Sequence, residues 1–148
     1  MSDGATLSVQ AGMAHWPRAL AFIEGYCAAN DIAREDMLRL VLVAEELFTN
    51  AVEHGHAGGT QASIRLALTR WPDRVQMLLE DGAPPFDPLA QAARQADLAE
   101  AVFDERPVGG LGLHLVAQLA SDMRYAREEG CNRLWITLAL AGEAGGVA

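Results

Sequence analysis

The sequence predicts a domain of the α+β class, because its helical and strand-like patterns occur in separate blocks rather than in alternation. The length of 148 residues is typical of one domain. A hydrophobic fraction of 51% against 21% charged residues is typical of a globular chain. The predicted order is a strand, two helices, a hairpin, an irregular segment, a third helix and a second hairpin.

The first part of the chain contains a short strand and two helices. Residues 5–10 alternate between apolar and polar side chains, which predicts a strand. Apolar residues at helical spacing predict an amphipathic helix over residues 15–30. A longer helix over residues 34–54 is apolar nearly all round in its middle, as a buried helix should be. The glycines that follow are expected to end it.

Strand patterns return after the second helix. Residues 60–70 and 74–80 predict a hairpin that turns at Trp71-Pro72-Asp73. Residues 81–88 hold three prolines and a glycine, so regular structure is not expected there. Residues 89–104 are polar and alanine-rich, with weak helical character.

The last part of the chain predicts one helix and a second hairpin. The helix is expected over residues 111–120, and strands over 123–128 and 133–140 flank a turn at residues 129–132. We expect residues 1–141 to form a single domain and residues 142–148 to be a disordered tail.

Charge composition excludes several chemistries. The 11 basic residues are all arginines and face 20 acidic residues, for a net charge of −9. Without lysine there is no Schiff-base enzyme, no Walker A site and no kinase of the eukaryotic type. The acidic surface disfavours nucleic acid and anionic membranes as direct partners and favours a protein with a basic surface.

The cysteines and the start of the chain indicate a cytoplasmic protein. Cys27 and Cys131 lie far apart without metal-type spacing, which predicts two reduced thiols. The first residues lack the basic and apolar regions of a signal peptide.

The second helix carries polar residues at a spacing that can form a site. Glu46, Asn50 and His54 stand at i, i+4 and i+8 and therefore share one helix face. Such groups are costly to bury without partners, so a solvent-facing stripe is the alternative interpretation. Only one of Glu45 and Glu46 can face the same way as Asn50.

Two loops carry the other candidate residues. Asp81 ends a strand before a Gly/Pro loop, which is usual for a turn. Its carboxylate can also accept a hydrogen bond from the exocyclic amino group of a base. The glycines Gly109, Gly110 and Gly112 open a helix, where free N–H groups can bind phosphate. They do not fit a dinucleotide-binding fingerprint.

Taken in order, these segments resemble a known superfamily. The runs EELFTNAVEHG, DGAPPFDP, GGLGLHLV and GCN resemble the N, G1 and G2 boxes and the late GxN of the GHKL ATPases. Within that superfamily the chain resembles the bacterial anti-sigma-factor serine kinases of the RsbW type, over about residues 5–140. The resemblance implies the Bergerat ATP-binding fold, a mixed and mostly antiparallel sheet with helices packed on one face.

The resemblance also implies cofactors and residue roles. ATP and Mg²⁺ are the expected cofactors. Glu46 takes the place of the general base, Asn50 that of the Mg²⁺ ligand and Asp81 that of the adenine-reading carboxylate. Ala83 stands in the adenine site where the family has glycine, so its methyl group is expected to crowd the pocket and lower nucleotide affinity.

The phosphate side of the site is implied in the same way. Gly109, Gly110 and Gly112 take the place of the hinge of an ATP lid, and residues 89–108 that of the lid itself. Arg106 is the basic residue of that lid near the hinge.

The family implies a homodimer that holds a sigma factor and phosphorylates a STAS-domain anti-anti-sigma factor on Ser or Thr. Two alternatives stay open. The chain can be an ATP-gated binding module without significant kinase activity, or the detached catalytic domain of a histidine kinase. Against the second stands the absence of a preceding dimerisation helix with a phosphoacceptor histidine.

Overall fold

The computed structural model describes residues 4–57, 63–90 and 112–141, with the side chains of residues 54–57 excepted. Its elements in chain order are β1 (Ala5–Gln10), a 3₁₀ turn (Met13–His15), α1 (Trp16–Ala29), α2 (Arg34–Ala57), β2 (Ser63–Trp71), β3 (Arg74–Asp81), α3 (Gly112–Leu119), β4 (Asp122–Glu128) and β5 (Cys131–Ala139). The predicted α+β class and order of elements are confirmed. The second helix is three residues longer than predicted, ending at Ala57 instead of His54.

The five strands form one sheet in the order β1-β2-β3-β5-β4. All four neighbouring pairs among the described strands are antiparallel, in agreement with the mostly antiparallel sheet predicted. The chain leaves β3, passes through α3 and returns along the outer strand β4. It then inserts β5 next to β3, which brings the beginning of β5 beside the end of β3.

The core lies between the helices and one face of the sheet. Residues of α2 at helical spacing are buried, and alternate residues of the central strands point at them. Their buried side chains include Leu40, Val43, Leu47, Phe48, Ile64, Leu66, Leu68, Val75, Met77, Leu79, Leu134, Ile136 and Leu138. Phe48 is completely buried and its ring lies 5.5 Å from that of Trp16 in α1. None of the described helices is long and apolar enough to cross a lipid bilayer.

The last hairpin differs from its prediction. A turn over residues 129–132 was expected, but the turn contains only Glu129 and Gly130, with φ angles of 53° and 77°. Positive φ at both central residues is typical of the tight turns whose twist matches that of a hairpin. Cys131 and Asn132 therefore belong to β5 and pair with Glu128 and Arg127.

A buried carboxylate joins the beginning of α2 to the end of the sheet. Asp36 is 2% exposed, and its Oδ1 accepts hydrogen bonds from Nη2 of Arg39 and, at 3.1 Å, from the backbone N–H of Ala141. The same guanidinium donates to the carbonyl of Ala139 at 2.7 Å. This arrangement anchors the residues that follow β5 to the second helix.

Both cysteines are free thiols, as predicted. Cys27 is buried in α1, and burial together with the nearby charge of Asp36 raises the pKa of its thiol to about 11. Cys131 is half-buried at the beginning of β5. The Cys27 thiol is therefore unreactive at neutral pH, since the thiolate is the reactive form.

We expect Phe48→Ala to lower the free energy of unfolding by about 3–5 kcal/mol, because it opens a cavity in a core where the ring is wholly enclosed. Urea unfolding followed by circular dichroism measures this loss. Leu42→Ala is the control, since Leu42 lies on the same helix and is 41% exposed. Equal losses in the two variants would contradict the position of α2 on the sheet.

Candidate nucleotide site

A cavity lies where the end of β3 and the beginning of β5 face α2. Its wall is formed by Leu47, Asn50, Ala51, Leu79, Asp81, Phe86, Pro88, Tyr125, Asn132 and Leu134. Its volume is about 30 Å³, and most of its wall is apolar. The loop after β3 provides one side of the cavity, and the register between β3 and β5 provides the floor.

Asp81 is the charged residue of this wall. It is 9% exposed, and its Oδ1 accepts hydrogen bonds from the backbone N–H of Ala83 and from Nδ2 of Asn132, both at 3.0 Å. Among the described residues no hydrogen-bond donor contacts Oδ2. The carboxylate is thus fixed by one oxygen, and its other oxygen can accept a hydrogen bond from a ligand.

Asn132 connects Asp81 to the loop and to the neighbouring strand. Its Nδ2 also donates to the carbonyls of Ala83 and Pro84, at 3.3 and 3.0 Å. Its Oδ1 accepts from the Tyr125 hydroxyl at 2.6 Å and from the Phe86 N–H at 3.3 Å. Asn132 stands directly opposite Asp81 in the β3–β5 pairing. One buried amide therefore holds the floor, the loop and an aromatic wall of the cavity together.

Ala83 is buried beside Asp81 but does not line the cavity. Its carbonyl accepts a hydrogen bond from Nη1 of Arg127 at 2.7 Å, in addition to that from Asn132. The structure thus places Ala83 as a backbone anchor of the loop. The expected crowding of an adenine by its methyl group stays a prediction.

Asn50 reaches the cavity from α2. Its Nδ2 donates to the carbonyl of Glu46, one turn earlier in the helix, at 3.0 Å. This bond directs the amide nitrogen toward the helix and leaves Oδ1 available to a cation or donor. The structure therefore brings Asn50 and Asp81 to one cavity, and their roles in binding stay predictions.

Glu46 lies at a second position, against the beginning of α3. Its carboxylate contacts Gly112, whereas the neighbouring Glu45 is exposed. Burial raises the pKa of Glu46, and the negative charges of Glu45 and Glu53 raise it further. A raised pKa makes a carboxylate a stronger base, which suits proton transfer near neutral pH.

Several predicted site residues lie outside the described residues. These are Arg106, Gly109, Gly110 and all but the first two residues of the predicted lid at 89–108. The side chain of His54 is outside the description as well, so its place on the face of Glu46 and Asn50 stays a prediction.

The structure adds residues that the sequence did not single out. From the sequence, Asn132 was placed in the GCN run and in the predicted turn, without a role, and Tyr125 in a strand. The signal that could have found Asn132 is a polar residue on the core-facing side of a strand whose other core-facing residues are apolar.

The described residues contain no group of three or more His, Cys, Asp or Glu side chains arranged to hold a metal ion. Asn50 supplies one oxygen at the cavity. Mg²⁺ is commonly bound through few protein ligands, because it usually keeps several waters and binds together with substrate phosphates.

Comparison with known proteins places most of the chain in one family. Residues 9–138 match the family described as histidine kinase-like ATPase domain. The chain is 32% identical over 105 residues to the serine/threonine-protein kinase BtrW of Bordetella bronchiseptica, covering 71% of this chain and 72% of that protein. It is 25% identical over 132 residues to the serine-protein kinase RsbW of Listeria monocytogenes, covering 88% of this chain and 83% of that protein.

A solved structure shares the fold. The crystal structure of the RsbU and RsbW domains of a Mycobacterium tuberculosis protein matches with a TM-score of 0.61 and 17% identity. The match covers 93% of this chain and 33% of that longer chain. At this identity the likeness concerns the fold alone.

We expect Glu46→Gln to raise the free energy of unfolding at neutral pH. Because the folded protein raises the pKa of Glu46, this group stabilises the fold fully only below its unfolded pKa of about 4.3. That stability is lost as the pH rises through the folded pKa, and a glutamine does not lose it. Urea unfolding measured between pH 4 and pH 8 should show that the gain in the free energy of unfolding grows until the pH has passed the folded pKa of Glu46. Above that pH the gain should stay constant.

The control for this pH series is Glu24→Gln, which removes an exposed charge from α1 and measures the general effect of the net charge. A gain that is equal in both variants, or that is largest at pH 4, would contradict the raised pKa of Glu46.

Proposed function

This chain belongs to the family of histidine kinase-like ATPase domains, and from that membership we propose that it is an ATP-dependent serine/threonine protein kinase. Its proposed substrate is a STAS-domain anti-anti-sigma factor, and its proposed second partner is a sigma factor that it holds as an anti-sigma factor. Relatives named as serine/threonine and serine-protein kinases support this proposal.

The observation that carries the proposal is the state of the Asp81 carboxylate. Two donors fix its Oδ1, while Oδ2 has no partner among the described residues at the wall of an apolar cavity. An ionised carboxylate only accepts hydrogen bonds, so this oxygen selects a ligand with a donor. The exocyclic amino group of adenine is such a donor, and the apolar walls suit the faces of its ring.

The donor set of the cavity fits Mg²⁺ with ATP. Oδ1 of Asn50 is a hard oxygen ligand on the same cavity as Asp81, since its Nδ2 is engaged with Glu46. When bound, Mg²⁺-ATP supplies the phosphoryl group, and the metal neutralises charge on the phosphates. Asn50 binds and orients the metal in this proposal.

Glu46 is the proposed base. It takes the proton from the hydroxyl group of the substrate Ser or Thr, so that the oxygen can bond to the γ-phosphorus of ATP while the bond from that phosphorus to the bridging oxygen breaks and ADP leaves. Its half-buried position, raised pKa and place one helical turn from Asn50 support this role. Glu45 is exposed on the neighbouring face and serves as the natural control.

The cavity has a volume of about 30 Å³, which admits only one or two water molecules and is less than a purine occupies. We therefore propose that the loop side of the cavity opens when nucleotide binds. Phe86 and Pro88 form this side, whereas Leu79 and Leu134 belong to the paired strands and keep their places. Nucleotide binding would thus be coupled to the shape of the loop after β3.

The remaining features of the proposal follow the family. We propose a single domain over residues 1–141, a homodimer and a cytoplasmic location. A net charge of −9 favours partners with basic surfaces and no direct contact with nucleic acid or anionic lipid. The ATP-gated binding module is the competing outcome that the experiments below can recognise.

We expect Asp81→Asn to lower ATP affinity tenfold or more, since a charge-assisted hydrogen bond contributes about 1.5–3 kcal/mol. The amide oxygen of the new residue can keep accepting from Ala83 and Asn132. Its amide nitrogen must then face the cavity, where it meets the adenine amino group with a donor. Calorimetry with Mg²⁺-ATP measures the loss.

Inosine triphosphate makes this test specific, because it carries an oxygen in place of the adenine amino group. Asp81→Asn should lower or invert the preference of the wild type for ATP over inosine triphosphate. Asp87→Asn is the matched control, since Asp87 lies exposed in the same loop and its Oδ1 accepts a hydrogen bond from the N–H of Leu89. An unchanged preference for ATP over inosine triphosphate in folded Asp81→Asn would show that Asp81 does not bind the base.

We expect Asn50→Ala and Glu46→Gln to impair different steps of the reaction. Loss of the metal ligand should weaken both Mg²⁺-ATP binding and phosphorylation. Loss of the base should leave ATP binding nearly unchanged and lower phosphate transfer by about 10²–10⁴-fold. Calorimetry measures the first, and mass spectrometry of a STAS-domain protein incubated with the chain and Mg²⁺-ATP measures the second.

Glu45→Gln is the control for the base and should transfer phosphate at nearly the wild-type rate, because residue 45 points about 100° away on the helix. Transfer at the wild-type rate by Glu46→Gln would show that the base is another group. If the wild type binds ATP and transfers nothing to any STAS protein, the chain is a nucleotide-gated binding module.

A further inference from the structure

The carboxylate of Glu46 occupies the space that a side chain at residue 112 would need. A β-carbon built on Gly112 would lie 1.9 Å from Oε2, 2.2 Å from Cδ and 2.7 Å from Oε1 of Glu46. Real β-carbons do not approach other atoms within 3.0 Å. The contact is therefore possible only because residue 112 has no side chain.

Backbone conformation does not explain this glycine. Gly130 has a positive φ of 77°, which favours glycine, whereas Gly112 begins the helix α3 without a positive φ. Gly112 differs from Gly25 and Gly82 in the room available for a side chain, since a β-carbon built on either of those two residues has nothing within 4 Å.

The backbone of residue 112 has little room to retreat. Leu113, the next residue, is 1% exposed, and Val116 one turn later is equally buried in the core between α2 and α3. On the other side, Leu47 follows Glu46 and is buried as well. A substituted side chain must therefore displace the carboxylate, which ends a flexible side chain, and the protein should still fold.

We infer that Gly112 is a positioning residue for Glu46, because its missing side chain leaves the space in which the carboxylate is held at the beginning of α3. The inference rests on the proposed role of Glu46 as the base. It gives Gly112 a task separate from phosphate binding, which would use the backbone N–H alone.

Gly112→Ala separates these two tasks, because alanine keeps the N–H and adds only a methyl group. We expect kcat for phosphorylation of the STAS protein to fall by about 100-fold or more, as expected for a misplaced general base. The Kd for Mg²⁺-ATP should change by less than about threefold, since one methyl group alters no backbone donor. A loss of ATP affinity with an unchanged kcat would overturn the inference.

Two controls make the result specific. Gly25→Ala places the same substitution in α1, where a built β-carbon meets nothing, and should leave kcat unchanged. The double variant Gly112→Ala with Glu46→Gln should have the kcat of Glu46→Gln alone, since Gly112 acts only through the carboxylate. A further loss in the double variant would show that Gly112 acts by another route.

Crystal structures of the wild type and Gly112→Ala give a readout that needs no activity. We expect the Glu46 carboxylate to contact residue 112 in the wild type and to leave it in the variant. An unmoved carboxylate overturns the inference whatever the kinetics show. A displaced carboxylate together with full activity of Glu46→Gln would instead refute the proposed base and leave Gly112 as the residue that positions Glu46.

Discussion

The hydrogen bonds of the Asn132 side chain join the fold of this protein to its candidate site. Asp81 carries a charge at the wall of an apolar cavity, and a buried charge is costly unless donors compensate it. Asn132 is one of the two donors to its Oδ1, and the same amide binds the loop after β3 and the hydroxyl of Tyr125. The cavity therefore depends on the pairing of β3 with β5.

Sequence patterns predicted the helices and strands well, because the spacing of apolar residues shows which face of a helix or strand is buried. The spacing of apolar residues located both long helices, and alternation located the strands. The register between strands was harder, because it depends on the length of a turn that sequence places only roughly. Glu129 adopts a positive φ, which is unusual for a glutamate, and the predicted turn was two residues too long. Asn132 was consequently assigned to a turn and not to the cavity floor.

Only part of the candidate site was predictable from the sequence. Motif spacing pointed to Asn50 and Asp81, and both line one cavity. The contact between Glu46 and Gly112 joins two helices that are distant in sequence, and no local pattern encodes how closely they approach. The apolar wall residues have the same character as the rest of the core, so nothing in the sequence distinguishes Leu79 from its neighbours in β3.

The two cysteines lie in different environments, so that one of them can be labelled selectively. Cys27 is buried and its thiol has a pKa of about 11, so a maleimide at neutral pH finds almost no thiolate there. Cys131 is half-buried and directly precedes Asn132 in β5. Because successive residues of a strand point to opposite faces, the Cys131 thiol lies on the outer face of the sheet, behind the floor of the candidate site. The natural chain can therefore carry one fluorophore there without any engineered residue.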